Sequence, residues 1–399
     1  MKALVMAGGR GGNMIPFSET RPNPMIPVGG KHVIDHILQT LKSAGVNHVT
    51  TVIGHQKDKL RDHLTASQPT GMSVHFIDQG KPDGIGKAIL KAKGKFAPGD
   101  NFLLVYADTL TTSNIFNVTI QSFSLHNEPT AAICLTSASE KYGNVYLGQD
   151  AKITKIIEKP SKSEGLGNYV LAGVFVLPAR FFDYLSNAGG DMEKALQALI
   201  KKETLRASIW EDEWLDMAYP WDILTANKAI MDTWKEASIH ESVELSGASL
   251  KGPVRIAEGV QIMQGAALEG PSYIGPGTYI GHNALIRPYT CIGGGSVIGH
   301  GVELKNCVIF PGATVGRLCF IGDSVIGENV NIGAGTMTIN QPIDKKGARV
   351  KIKGKALDTE LKKLGAFIGD NAVIGASNTL AAGTVVDAGR VIDHNLSVK

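Results

Sequence analysis

Cysteine is scarce in this chain of 399 residues: only Cys134, Cys291, Cys307 and Cys319 occur. None stands in a CxxC pair, so the sequence offers neither a zinc-ligand spacing nor a disulfide framework. Reduced thiols fit a cytoplasmic protein, which is the expected compartment. Blocks of one charge are equally absent. Lys and Arg total 40 against 37 Asp and Glu, and the net charge of +3 is spread along the chain. No basic footprint for a nucleic-acid partner results. Long apolar runs are missing too. The opening "ALVM" is far too short for a secretory leader or a membrane span, so no membrane partner is expected.

What is present belongs to a folded protein. A hydrophobic share of 43% with 19% charged residues excludes a disordered chain. The length exceeds one ordinary core and implies two domains. Two rhythms divide the sequence accordingly, into residues 1–232 and 240–399. In the first, "KALVMAGG", "NHVTTVIG" and "NFLLVYAD" read as strands. "KHVIDHILQTLKSAG" places Val33, Ile34, Ile37, Leu38 and Leu41 on one helical face, with Gly45 as a stop, and "KAILKAKGKF" reads as a second helix. Such alternation predicts an α/β fold: an open, doubly wound, mainly parallel sheet whose ligands sit at the carboxyl ends of the strands.

The second rhythm has period six. Leu250, Ile256, Ile262, Leu268, Ile274, Ile280, Ile286, Ile292, Ile298, Leu304 and Phe310 are spaced by six residues without a break. With slips the series passes through Val315, Ile321, Ile326 and Ile332, then returns at Ile368, Ile374, Leu380, Val386 and Ile392. Period six is the mark of a β-helix solenoid with one inward apolar side chain per hexad. The Lys-rich break at about residues 338–367 reads as a loop excursion.

Chemistry-bearing positions cluster in the first half. "MAGGRGG" follows the first strand, and Gly8, Gly9 and Gly11 would let backbone N–H groups approach a phosphate. On its own such a turn is weak evidence. The continuation "SETRPNPMIPVGGKHVIDHIL" resembles the signature of the sugar-1-phosphate nucleotidylyltransferases, in which a Gly-rich G-x-G-T-R loop precedes "TRPKPM". "GIGKAIL", "VYAD", "IIEKP" and "WLDMAYPWDILTAN" are similar to later motifs of that family, in the right order.

The resemblance implies an enzyme that joins a nucleoside triphosphate to a sugar-1-phosphate and releases pyrophosphate. Such catalysis is mostly alignment and charge neutralisation by Mg²⁺ and Arg/Lys. It implies Asp108 and Asp216 as hard oxygen ligands for Mg²⁺. Gln79 and Gly84 would belong to the nucleotide site, with a lean towards UTP or dTTP. Gly143, Glu158 and Lys159 would hold the sugar phosphate. Each also has a plain reading, as a turn or cap residue or an exposed pair.

Several positions depart from the signature. Asn13 stands where the family has its loop Arg, Gly12 where it has Thr, and Asn23 where "RPKPM" has Lys. Ile85 replaces a Thr and Leu171 a sugar-contacting Asn. Losing one preorganised cation or donor costs roughly 10²–10³ in rate, so the expectation is weakened catalysis. Arg10 and Lys31 are the nearby cations that would compensate.

The second half resembles the left-handed β-helix of bifunctional members, which acetylates amino-sugar phosphates. The family stretch H-x-x-Y-[IV]-G-D is here "RLCFIGD", with Arg317 for the His and Phe320 for the Tyr; Asn340 keeps a downstream Asn. Arginine stays protonated in proteins and cannot act as a base. His300 is the alternative base, or simply a surface histidine. "GARVKIKGKALDTELKKLGAF" resembles the archaeal-type continuation, with Lys346 and Arg349 at basic positions.

Three functions remain open at this stage. One is a weakened sugar-1-phosphate nucleotidylyltransferase, forming or binding an NDP-sugar. Another is a non-catalytic paralogue that regulates or scaffolds an active homologue. The last is a solenoid acetyltransferase. The resemblance further implies a homo-oligomer built on trimers, or a hetero-oligomer with an active paralogue.

Overall fold

The computed structural model describes residues 1–136, 138–161, 167–343 and 347–398. Two compact units emerge. The first comprises Met1–Arg10, Pro22–Met25 and Val33–Asp216; the second comprises Gly11–Arg21, Ile26–His32 and Met217–Lys399.

In the first unit, a nine-stranded sheet runs in the order Ile153–Glu158, Gly143–Leu147, Tyr169–Pro178, Asn101–Tyr106, Lys2–Met6, His48–Ile53, Ser73–Asp78. Thr130–Leu135 joins it beside Tyr169–Pro178, and Arg206–Trp210 beside Thr130–Leu135. The four strands at the Ser73–Asp78 end are parallel, as the alternating pattern predicts. From Tyr169–Pro178 onward the pairing turns largely antiparallel. The strands from Thr130–Leu135 to Tyr169–Pro178 follow one another without intervening α-helices among the described residues and pair antiparallel. Arg206–Trp210, by contrast, follows helices Phe181–Asn187 and Met192–Lys202 and pairs parallel with Thr130–Leu135.

Local patterns explain the helices. Val33–Ser43 buries Val33, Ile34, Ile37, Leu38 and Leu41, the face read from the sequence. The second expected helix is shorter, Ile85–Leu90, and the chain continues as turns through Phe96. Leu4, Phe102, Leu104, Phe175, Phe181 and Leu185 anchor the core of this unit. Phe96, Phe102 and Phe182 stack there at centroid separations of 4.6–5.9 Å.

The second unit is a three-faced parallel β-helix. Three eight-stranded sheets each take one short strand per coil, and the inward hexad residues form one continuous core from Val254 to Val386. One expectation needs correction. Phe310 follows the hexad spacing, but Ile309 is the inward residue, paired in register with Ile292 and Ile326. The coil is one residue short at this corner, where Asn306 adopts φ 49°, and the next coil repeats this at Asp323 with φ 50°. Asx side chains tolerate that left-handed conformation. The excursion after Thr338 contains a β-hairpin, Arg349–Ile352 with Lys355–Asp358, and strand succession resumes at Phe367.

Phe310, displaced from the core, is still fully buried. Phe17 packs on it at 5.2 Å between ring centroids, and the Arg21 guanidinium lies 4.7 Å from its centroid. Arg21 also pairs with Asp370, and with Glu328 at 2.8 Å. Thr20 donates its hydroxyl to Asp370 at 2.6 Å. Half of the signature segment is therefore built into the solenoid unit. Helix Asp222–Asp232 belongs there as well: Asn227 accepts from the Gly29 N–H at 3.0 Å and donates to the Tyr289 carbonyl at 2.9 Å.

Candidate active site

Strands Lys2–Met6 and Asn101–Tyr106 are parallel neighbours, so the glycine turn and Asp108 emerge at the same carboxyl edge. The Ala107 N–H donates to the Met6 carbonyl at 3.1 Å, which locks the two strand exits together. This is the sheet edge at which an open α/β fold binds ligands.

The turn is divided between the units, with Gly8–Arg10 in the first and Gly11–Asn13 in the second. Gln79 donates its side-chain amide to the Gly8 carbonyl at 2.6 Å. A Cβ on Gly8 would lie 2.6 Å from the Gln79 amide carbon, so glycine is required for that approach. Gly9 and Arg10 are exposed, and Gly11 has φ 58°. Arg10 forms no ion pair among the described residues. A cleft beside Gln79 and Gly84 carries Lys81, Lys87 and Lys91. Lys87 is bound to Asp83 at 2.6 Å. These lysines have no counterpart in the signature, and their spacing alone gave no reason to single them out.

The two acidic positions meet. Strand Trp214–Asp216 pairs with Thr109–Thr111, placing Asp216 opposite Thr109, next to Asp108. Desolvation, and then the charge of Asp108, push the Asp216 carboxyl up to about 7. Desolvation also raises Asp108 above the usual carboxylate range, opposed by a hydrogen bond from its own backbone N–H. Two carboxylates that resist ionising side by side form a donor set that fits a hard divalent cation, whose charge would relieve both.

Aromatic residues hold this pair in place. Tyr142 hydrogen-bonds Asp216 and meets the Trp214 ring edge-on at 5.0 Å. Trp214 donates its indole N–H to the Ala172 carbonyl at 3.1 Å. Burial, with the charges of Asp108 and Glu158, pushes the Tyr106 hydroxyl up. Tyr106, inside "VYAD", and Tyr142, just before Gly143, escaped the sequence reading because a lone tyrosine carries no spacing signal of its own.

Gly143 lies opposite Glu158 in the antiparallel ladder. Desolvation raises the Glu158 carboxyl, Lys159 lowers it, and Glu193 raises it. Lys159 stands 3.9 Å from Glu158, and its charge reaches Asp216. Asp108, Asp216, Gly143, Glu158 and Lys159 thus converge in the first unit. The departures from the signature are equally visible. Asn13 is exposed, whereas Asn23 is buried with 9% exposure. Ile85 is exposed, and Leu171 lies beside Gly143.

In the solenoid, His300 and Arg317 occupy matching corners of successive coils, and both are exposed. Phe320 is half-buried and paired with Met337. The Asn340 amide and the Phe320 ring tip both approach Gly322, each 2.9 Å from where a Cβ would stand; Asn340 donates to Asp323 at 2.6 Å, and Asn306 donates to the other carboxylate oxygen at 2.8 Å. Its observed contact is therefore structural, the top of an Asn–Asp–Asn ladder. Arg349 begins the hairpin, and Lys346 lies outside the described residues.

The nucleotidyl transferase family model matches residues 2–233, and the GMPPB C-terminal domain model matches residues 268–359. The bifunctional protein GlmU of Methanococcus maripaludis is 37% identical over 401 residues, spanning 99% of this chain and 94% of its own. The bifunctional sugar-1-phosphate nucleotidylyltransferase/acetyltransferase of Sulfurisphaera tokodaii is 31% identical, spanning 97% and 94%. A UDP-glucose pyrophosphorylase of Acinetobacter baumannii shares the fold with a TM-score of 0.53 at 21% identity, over 57% of this chain and 91% of that one.

Proposed function

We propose that this chain, which belongs to the nucleotidyl transferase family, forms an NDP-sugar from a nucleoside triphosphate and a sugar-1-phosphate, at a reduced rate. The observation that carries this reading is the convergence of Asp108, Asp216, Glu158 and Lys159 at the carboxyl edge of the sheet.

In the reaction, an oxygen of the sugar phosphate attacks the α-phosphorus, the bond to the β-phosphate breaks, and pyrophosphate leaves. Lys159 offsets the charge of the incoming sugar phosphate. Glu158, with its raised carboxyl, accepts from sugar hydroxyls. Gln79 and the glycine turn hold the nucleotide, uridine or thymidine being favoured. Asp108 and Asp216 would hold Mg²⁺, which when bound supplies charge neutralisation at the triphosphate. Asn at positions 13 and 23 withholds the two cations of the signature, and a reduced rate is expected on that ground.

The second reading, a non-catalytic paralogue that binds a nucleotide or NDP-sugar and regulates an active homologue, is favoured by the burial of Asn23. Pyrophosphate release measured with Mg²⁺ across nucleoside triphosphates and sugar phosphates separates the two. Nucleotide binding with no turnover on any pair selects the second. Acetyl transfer by the solenoid is the least supported reading, since Arg317 cannot take a proton.

Among the described residues no helix is long and apolar enough to cross a membrane. A cytoplasmic location and a trimer-based homo-oligomer, or a hetero-oligomer with an active paralogue, complete the proposal.

A further inference from the structure

Within the solenoid unit, the hairpin of the excursion brings one ammonium group onto the glycine turn. The Lys353 Nζ lies 2.7 Å from where a Cβ on Gly12 would stand. Any side chain at position 12 would displace that ammonium. The Thr expected there by the family signature and the Lys353 ammonium in its present place therefore compete for one space. Asn13, one residue on, is exposed and carries no charge. The loss of a side chain at position 12 and of a cation at position 13 thus coincide with the arrival of a cation from elsewhere in the chain.

The hairpin that carries it is anchored. Lys353 and Gly354 form the two-residue turn between Ile352 and Lys355, which pair directly. Their φ angles of 48° and 80° are those of a tight primed hairpin turn. Behind the tip, Ala348, Val350, Ile352 and Thr359 are buried, so the hairpin is seated on its own unit. Lys353 itself is exposed and has neither an ion pair nor a hydrogen bond among the described residues. An ammonium with no carboxylate of its own, held at the tip of an anchored hairpin beside a glycine turn, is a phosphate-binding arrangement.

We propose that Lys353 is a phosphate-binding residue of the Gly11–Asn13 turn, replacing the cation that the family signature carries at position 13. Its ligand is a phosphate group of the nucleoside triphosphate, so the inference rests on the nucleotide-binding reading above. Gly12 is the permissive half of the pair and Lys353 the active half.

The test uses the full chain and three variants: Lys353→Met, Lys353→Arg and Gly12→Thr. Calorimetry with UTP, uridine and inorganic tripolyphosphate gives Kd at several salt concentrations, and melting without ligand checks folding. Lys353→Met should weaken UTP and tripolyphosphate about tenfold, as for loss of one charge-assisted phosphate contact. It should leave uridine unchanged and flatten the salt dependence by about one phosphate contact. Lys353→Arg should retain most of the affinity. Gly12→Thr should reproduce the loss, and combining it with Lys353→Met should add little, because both remove one interaction.

Wild-type affinity for UTP and tripolyphosphate in Lys353→Met overturns the inference and leaves the nucleotide reading standing. Lys353-dependent binding of tripolyphosphate without binding of any nucleotide upholds the phosphate contact and removes the nucleotide reading. Binding of none of the three by the wild type removes both.

Discussion

Asp216 feels Asp108 directly: the charge of the second carboxylate adds to desolvation in pushing the first up to about 7. A carboxyl whose folded value exceeds its unfolded value, near 3.8, binds its proton more tightly in the folded state. Folding then takes up a proton between those values, so stability falls as pH rises from about 3.8 to 7 and levels beyond. Asp216→Asn should flatten that slope in melting temperatures recorded against pH. Mg²⁺ needs both carboxylates ionised, so its stabilising effect should be small near about pH 6 and larger above about pH 8. A Mg²⁺ effect independent of pH, or unchanged in Asp216→Asn, would remove the pair as the metal site.

Arg21 is the signature residue with the clearest structural duty. Its guanidinium is 6% exposed and bridges Glu328 and Asp370, the latter 2% exposed. Removing one partner of a buried pair leaves an uncompensated charge, at a cost of about 3–5 kcal/mol. Arg21→Ala should therefore lower the denaturant midpoint of the solenoid unit, and Arg21→Lys should recover only part of it, since an ammonium lacks the flat guanidinium that lies over the Phe310 ring. An unaltered midpoint would show that the pair is solvated.

These residues show how far the sequence could be read. The hexads were legible because one inward side chain per strand repeats along the chain, and the Asp pair because each member lies within a recognisable motif. The short corners at Asn306 and Asp323 were not: a one-residue deletion leaves Phe310 on the spacing while Ile309 takes the inward place. Arg21 stood in plain sight, but its partners Glu328 and Asp370 belong to different coils, and no local pattern links them. Lys353 was one lysine in a Lys-rich excursion. Only the hairpin register sets it apart.

Asn340 is tied to Asp323, which is 5% exposed and also accepts from Asn306. Asn340→Ala should destabilise the chain by about 1–3 kcal/mol by removing a hydrogen bond from a buried carboxylate. Neither wild type nor variant should transfer acetyl from acetyl-CoA to glucosamine-1-phosphate or galactosamine-1-phosphate. Thiol release in a coupled colour assay reads the transfer, and thermal melting reads the stability. Robust transfer that persists in His300→Ala would mean that another group near Phe320 serves as base.

Restoring the missing charges distinguishes a silenced site from a rearranged one, and the two positions are not equivalent. Asn13 is exposed, so Asn13→Arg adds a cation beside the glycine turn without burying it. Asn23 is buried, so Asn23→Lys places an ammonium where desolvation opposes it, at a cost of several kcal/mol when unpaired. In the Lys353→Met background, Asn13→Arg should raise steady-state pyrophosphate release by up to roughly 10²–10³, the worth of one preorganised donor, and by less where Lys353 already supplies that cation. The double variant should melt earlier and gain less than the two effects multiplied. Adding Gly12→Thr should not help in the presence of Lys353, whose Nζ occupies that space. It becomes useful only with Lys353→Met. A wild type that already turns over at rates Asn13→Arg cannot improve would refute the reduced-rate reading. A variant that binds nucleotide yet stays silent would move the defect to Ile85 or to Leu171, which stands beside Gly143 where the family places a sugar-contacting Asn.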